Sequence, residues 1–321
     1  MKFKDIYQLA YEMGMEADPR GKDAVNELLT KAKEKFEKLD DEEKREFDTE
    51  RLVNPYDDTR ILWGDIEAEV NSVLAGIDVD SQELLLADRL REKGQKFDLI
   101  VGHHPQGRAL ARLHGVMELQ EDVLHGLGVP INIAEGLMEP RIAEVERNLM
   151  PINHNRSVDA ARILDIPFIC VHTPADNMVT QFLENYFSKK EPKTVGEVIK
   201  ALKEIPEYAQ AVRNNAGPRC VVGGEERRAG KIFVDMTGGT GGSEDAYSKL
   251  AEAGVGTIVG MHIGEKHRKE AEKNHINVVI AGHMASDSLG LNLFLDALER
   301  NNIHVDYCSG LIRYSRSEAG R

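Results

Sequence analysis

A chain of 321 residues, 41% of them hydrophobic, can bury one large or two modest cores and does not need cross-links to do so. Its formal net charge of -14 argues against nucleic-acid binding through a broad basic face. The three cysteines, Cys170, Cys220 and Cys308, lie far apart without CxxC spacing, which argues against a zinc knuckle or redox pair and reads as small buried hydrophobes in a reducing compartment.

The amino terminus, MKFKDIYQLAYEMG, carries no long apolar core or small-residue cleavage site, and no uncharged apolar run approaches membrane-spanning length. The expectation is a cytoplasmic protein that does not engage a membrane. Residues 3–15 have helical spacing, with Ile6, Leu9, Ala10 and Met13 on one stripe. From Lys22 to Phe47 a highly charged region keeps the same period through Val25, Leu28, Leu29, Ala32 and Phe36. Its tail, KLDDEEKREFD, reads as a solvated helix face, with a partner-binding hairpin or lid as the sharper alternative. Asn54-Pro55 ends this helical extension, assigned to 1–56.

The rhythm then becomes strand, helix, strand: TRILWG at 59–64, VLAGIDV at 73–79, a helix over 81–94, and the strand in KFDLIVGHHP at 96–105. Asp78, at a strand end, reads as a turn or cap residue, with a carboxylate that binds a metal or stands behind a ligand as the alternative. A helical inset covers about 106–165, in which His114 and His125 are ordinary helix residues. His154, just before Ser157 and one helix upstream of the next strand, is a candidate substrate-facing group. The strand of IPFICVHTPADN follows, then a second helical inset over about 178–216 that includes the charged surface joint KKEPKT. From about 218 the alternation restarts with RCVVGG, KIFVDM, GTIVGM, NVVIAG and IHVDYC as strands. The prediction from this rhythm is an α/β protein with helices packed on its sheets. Between two of these elements, Gly238, Gly239, Gly241 and Gly242 could cradle a phosphate. No Gly-Lys-Ser or Gly-Lys-Thr follows, and a tight turn is the simpler reading.

Three strand ends share one design. DLIVGHHP delivers His103 and His104, IPFICVHTPADN delivers His172 and Asp176, and NVVIAGHMASDSLG delivers His283 and Asp287. Unbroken apolar runs fit strands covered on both faces, and their carboxyl ends are where open α/β sheets place ligand sites. Histidine and aspartate suit zinc, iron or manganese. Neighbours on an extended chain point to opposite sides, so His103 and His104 fit two ions side by side better than one.

In this order the three motifs resemble the family of Ngg-interacting-factor-three-like proteins, also described as dinuclear metal-centre proteins or GTP cyclohydrolase type 2 homologues. That family has a strand ending in His-His-Pro, a later His-Thr-x-x-Asp and a closing Gly-His-x-x-x-Glu. The likeness covers about 58–105, 165–180 and 230–308. It implies a layered αβα core over 57–321 of two associated halves, about 57–180 and 218–321, with metals between them, a homo-oligomer such as a ring-shaped hexamer, and two divalent metal ions on His103, His104, Asp176, His283 and Asp287. It also implies that His172 stands behind the ligands or faces substrate, and that His267 lies beside the cleft. Asp287 stands where the family pattern has glutamate, one methylene longer. Met261, His262 and Ile263 replace the family's Thr-Gly-Glu, so a carboxylate of the usual pocket is missing and a borrowed substrate name does not transfer.

Five ligands on two ions leave open coordination positions, so the expected chemistry is hydrolysis by a metal-bound hydroxide. The substrate would be a small phosphate- or nucleotide-like molecule, with His172, His154 or His267 as general acid or base. A metal-binding scaffold or regulatory partner protein is the alternative, and metal storage or delivery a third reading.

Overall fold

The computed structural model describes residues 1–317. Nine short strands are present among them: β1 (Arg60–Trp63), β2 (Ser72–Gly76), β3 (Leu99–Gly102), β4 (Phe168–Cys170), β5 (Arg219–Val222), β6 (Lys231–Asp235), β7 (Val255–Gly260), β8 (Asn277–Ile280) and β9 (His304–Cys308). They form two mixed sheets, ordered β1-β4-β3-β2-β9 and β5-β8-β7-β6. Each sheet is parallel apart from its first edge strand, β1 against β4 and β5 against β8. The orders β1-β4-β3-β2 and β5-β8-β7-β6 repeat one connectivity, so the two halves match in topology although their residues show no repeat.

The strand ends are enclosed because the strands are. Every residue of β3 and β4 is buried, as their unalternating apolar sequence demands. One face of the first sheet, through Leu74, Ile100 and Phe168, meets Leu84 and Ala87 of helix Ser81–Glu92 and Ala161 of helix Arg156–Leu164. The other face, through Val73, Leu99 and Ile169, meets two helices that lie between the sheets, Thr173–Lys190 and His283–Arg300. These helices serve both cores. Ala175, Met178, Leu291 and Phe294 pack toward the first sheet, whereas Val179, Leu183, Ala285 and Leu289 pack with Val234, Val259 and Val279 of the second. The remaining face of the second sheet is covered by the inset helices Leu119–Leu127 and Ile131–Leu149 and by Ala246–Glu252 and Glu265–Lys273.

Three features differ from the sequence reading. The last strand, expected to complete the carboxyl-terminal half, crosses over and pairs in parallel with β2, from Ser72 opposite His304 to Gly76 opposite Cys308. The charged helix expected over Lys22–Phe47 is two helices, Lys22–Lys38 and Asp41–Glu46. Asp40 restarts it with a capping box, accepting from the Glu42 and Glu43 amides at 2.9 Å while the Glu43 side chain bonds back. The first helix, Phe3–Glu16, is part of the first-sheet core, since Phe3, Ile6 and Ala10 are fully buried there.

On the inset, burial pushes the Glu121 carboxyl up to about 7, helped by Glu118, Glu135, Asp122 and Glu139. A carboxyl raised in the folded state holds its proton longer than in the unfolded chain, so stability falls as pH rises from about 4.5 through 7. Glu121→Gln is therefore expected to stabilise the protein by about 1 kcal/mol at pH 8, a figure reduced for the partial exposure of the group, and to change nothing at pH 4. Thermal melts at the two pH values check this.

Candidate metal centre

The centre forms where β3, β4 and β8 end. After Gly102 the chain bends, and the His103 and His104 amides are held by the Ile77 carbonyl at 3.3 and 3.1 Å. Both rings then turn the same way, 5.1 Å apart between centroids, because the residues have left the extended strand. After β4, the Val171 amide makes a last bond to Gly102 and His172 sits at the start of helix Thr173–Lys190, where Pro174 fits the first turn. Asp176, four residues on, lies on the same helix face as His172. The second half repeats this: β8 leads through Gly282 into helix His283–Arg300, with Asp287 four residues after His283. Gly282 is required there, as its φ of 117° suits only glycine and a Cβ would stand 2.8 Å from the Ala216 carbonyl oxygen.

Asp287 is the hub. Its Oδ1 lies 3.7 Å from His103 Nε2, while its Oδ2 lies 3.5 Å from His104 Nε2 and 3.4 Å from His283 Nε2. His103 Nε2 is also 3.5 Å from Asp176 Oδ1, and His172 Nε2 is 3.7 Å from Asp176 Oδ2. None of these separations is a hydrogen bond. The donor atoms fall into three sets, each within 4.8 Å, that could hold a metal ion: His103, Asp176 and Asp287; His104, His283 and Asp287; and His103, His104 and His172. The structure thus brings together the five residues expected as ligands, with His172 against them.

Each of three imidazoles is oriented from behind. His103 Nδ1 donates to the Val171 carbonyl at 3.0 Å, His104 Nδ1 to Asp78 Oδ1 at 2.7 Å and His172 Nδ1 to Asp58 Oδ2 at 2.7 Å. With the proton on Nδ1, the Nε2 lone pairs of His103 and His104 face inward, the tautomer a metal ligand needs. Asp58 is itself fixed by the Thr173 hydroxyl at 2.6 Å. Burial pushes the Asp176 carboxyl up to about 8, against the pull of His172. Burial likewise opposes charge on His172, but Asp176 and Asp58 outweigh it and carry that imidazole to about 9. Asp58→Asn keeps the shape but loses the negative charge behind His172. A ten- to hundred-fold fall in metal affinity or turnover is expected, read by metal titration and steady-state assay.

A cavity of about 500 Å³ opens on the centre, lined by His172, Asp176, His283 and Asp287 on one side and by the Gly239–Ser243 turn, Asp235, Tyr247 and His267 on the other. His267 stands in this wall, its Nε2 donating to the Gly242 carbonyl at 2.9 Å. His154 does not line the cavity; its backbone carbonyl accepts from the Gly107 amide at 2.8 Å. The glycine run is a turn, with φ of 98° at Gly238 and 84° at Gly239, whose carbonyls at 238 and 240 both accept from Gln120 at 2.7 Å. Sequence reasoning missed Asp58, which lies in the NPYDDTR segment with no motif to mark it. It treated His262 only as a replacement, though that ring lies 5.1 Å from His283 in the cavity wall.

No protein-family model matches the chain, and no curated protein does. Among solved structures, a NIF3 superfamily protein from Sphaerobacter thermophilus is 26% identical, with 79% of this chain and 92% of that chain covered at a TM-score of 0.69. Reduced HcgD from Methanocaldococcus jannaschii, 16% identical, covers 80% of this chain and 90% of its own at a TM-score of 0.52, a likeness of fold alone. With its paired αβ halves and its clustered histidines and aspartates, the chain has the fold of NIF3 superfamily proteins and is similar in sequence to the Sphaerobacter one.

Proposed function

We propose that the protein is a hydrolase that holds two divalent cations and acts on a small phosphate- or nucleotide-like molecule in the cavity. The observation that carries this reading is a set of buried polar atoms without partners. His103 Nε2, Asp176 Oδ1 and both Asp287 carboxylate oxygens are enclosed, accept or donate no hydrogen bond, and face one another. Leaving such groups unpaired costs about 1–3 kcal/mol each, more when charged, so a cation between them is the natural complement. The residues fit the group: His103, Asp176 and Asp287 would hold one ion and His104, His283 and Asp287 the other, with Asp287 spanning both. Imidazole and carboxylate suit zinc, iron or manganese.

Cations in such a site polarise a phosphoryl oxygen and supply a nucleophilic water near neutral pH. The chain's own part is positional and protonic. Asp58 holds the His172 ring with Nε2 toward the centre and favours its charged form, so His172 Nε2 can give a proton to a departing oxygen. His267, tied at Nε2 to the Gly242 carbonyl, orients the far wall and does not offer that atom for proton transfer. A cavity that reaches the centre favours turnover over a purely structural metal, which would be enclosed by protein.

The test is a screen of the metal-loaded protein against phosphomonoesters and nucleotides, with Asp176→Ala as control. Product formed by the unaltered protein and lost in the control is expected. A fully loaded protein that turns over none of them sinks the hydrolase reading.

A further inference from the structure

Three exposed carboxylates line the cavity with nothing to neutralise them: Asp122 on helix Leu119–Leu127, Glu184 on helix Thr173–Lys190 and Asp235 at the end of β6. Among the described residues none of the three enters an ion pair. Elsewhere on this surface exposed carboxylates are paired, as Glu67 is with Lys2 and Lys4 and Glu265 with Arg268. The cavity wall holds a single arginine and no lysine among the described residues, and that arginine, Arg141, is turned to the Gly241 carbonyl at 2.9 Å and to Glu144 at 2.7 Å. A cleft lined by one sign of charge, with apolar surface such as that of Phe233 and Leu250 between the charges, focuses its field and raises the local concentration of counter-ions.

The charged wall runs inward to the metal centre. Glu184, Thr180 and Asp176 stand four residues apart on one face of helix Thr173–Lys190, each step about 6 Å along its axis. Exposure falls along that line, since Glu184 is open to solvent whereas Thr180 is 3% and Asp176 4% exposed. The Thr180 hydroxyl donates to the Asp176 backbone carbonyl at 2.8 Å, which leaves its oxygen as an acceptor on the way in. At the inner end Asp176 Oδ1 is buried without a partner, and so are both carboxylate oxygens of Asp287. We propose that this face is the entry route of the divalent cations, with Glu184 drawing a hydrated ion into the mouth and Thr180 standing between it and Asp176. Asp122 and Asp235 strengthen the pull. Two bound cations offset the charge of the wall, so a phosphate-bearing substrate follows the metal. This rests on the two-cation part of the proposed function and needs no turnover.

The experiment is stopped-flow mixing of zinc with the full chain freed of metal by a chelator, the free ion being followed with a fluorescent indicator. At low salt a unit charge acting through water on a divalent ion about 10 Å away changes its arrival rate roughly three-fold. Glu184→Gln is therefore expected to slow uptake about three-fold, and the triple change Asp122→Asn, Glu184→Gln and Asp235→Asn about ten-fold or more. Dissociation rate, final metal content and melting temperature should stay as they are. Glu92→Gln, an equal loss of charge on helix Ser81–Glu92 away from the cavity, should change nothing. Raising the ionic strength from about 0.01 M to about 0.15 M should slow the unaltered protein and shrink its lead over the triple variant. Uptake by the triple variant as fast as by the unaltered protein, slowing that Glu92→Gln reproduces, or a rate indifferent to salt overturns the proposal. Where both ions are still bound, such a result removes this inference alone. A chain that takes up no zinc at equilibrium removes the two-cation reading with it.

Discussion

Asp287→Ala is expected to strip the protein of the two cations proposed for its centre, with affinity for a divalent metal falling by more than about a hundred-fold, beyond the range for a residue that only orients a ligand. The reason is geometric. Asp287 is fully buried, and its two oxygens face different partners, Oδ1 toward His103 and Oδ2 toward His104 and His283. Truncation removes a carboxylate from both halves of the centre at once. Asp176→Ala should differ in kind, since Asp176 joins only the set with His103 and Asp287. One ion should weaken and the other persist. Metal content after dialysis, measured by plasma mass spectrometry, separates the two outcomes, and equal residual metal in Asp287→Ala and the unaltered protein would contradict the assignment.

Gly290→Ala should damage the centre without touching it. Gly290 lies on helix His283–Arg300 where that helix crosses Thr173–Lys190, and a Cβ there would stand 2.2 Å from the Ala175 carbonyl oxygen and 2.8 Å from its carbon. Both obstacles are backbone, so the helices must separate. Ala175 precedes Asp176, and Gly290 lies three residues beyond Asp287, so separation pulls the two carboxylates apart. Overpacking of this kind costs about 1–3 kcal/mol, a drop of roughly 3 °C or more in melting temperature for a chain of this size. A metal affinity at least about ten-fold weaker should accompany it, since a spread of even an ångström spoils coordination. Gly136→Ala is the contrast. Gly136 is exposed within helix Ile131–Leu149, a Cβ there meets nothing within 4 Å, and stabilisation of up to about 1 kcal/mol is expected. Parallel thermal melts of the two variants should move in opposite directions.

The meeting of His103, His104, His172, Asp176, His283 and Asp287 is legible in the sequence for a reason that can be stated. Each follows a short apolar run without alternation, and such runs become covered strands whose carboxyl ends gather at one place. The i, i+4 spacing in His172/Asp176 and His283/Asp287 puts each pair on one helix face. What was not legible depends on contacts between distant segments. Asp58 orients the His172 imidazole from a loop whose composition is that of any turn, whereas Asp78, whose place at a strand end already offered a carboxylate behind a ligand, does the same for His104. The approach of Asp235 to Tyr247 and His267 is set by the second sheet and its covering helices. Amphipathic spacing in Phe3–Glu16 announces a helix but cannot say whether its stripe meets this core or another surface. The crossing of β9 is equally hidden. Its alternating sequence suits any edge, and only the position of helix His283–Arg300 between the sheets lets the chain return beside β2.

The central claim, a pair of cations bridged by Asp287, is tested most directly by a crystal structure of the metal-loaded protein with anomalous data at the absorption edge of the bound metal. The account predicts two peaks roughly 3.5–4 Å apart, one against His103, Asp176 and Asp287 and the other against His104, His283 and Asp287. Peaks elsewhere, or none at full metal loading with Asp287 oxygens hydrogen-bonded to protein instead, would contradict it.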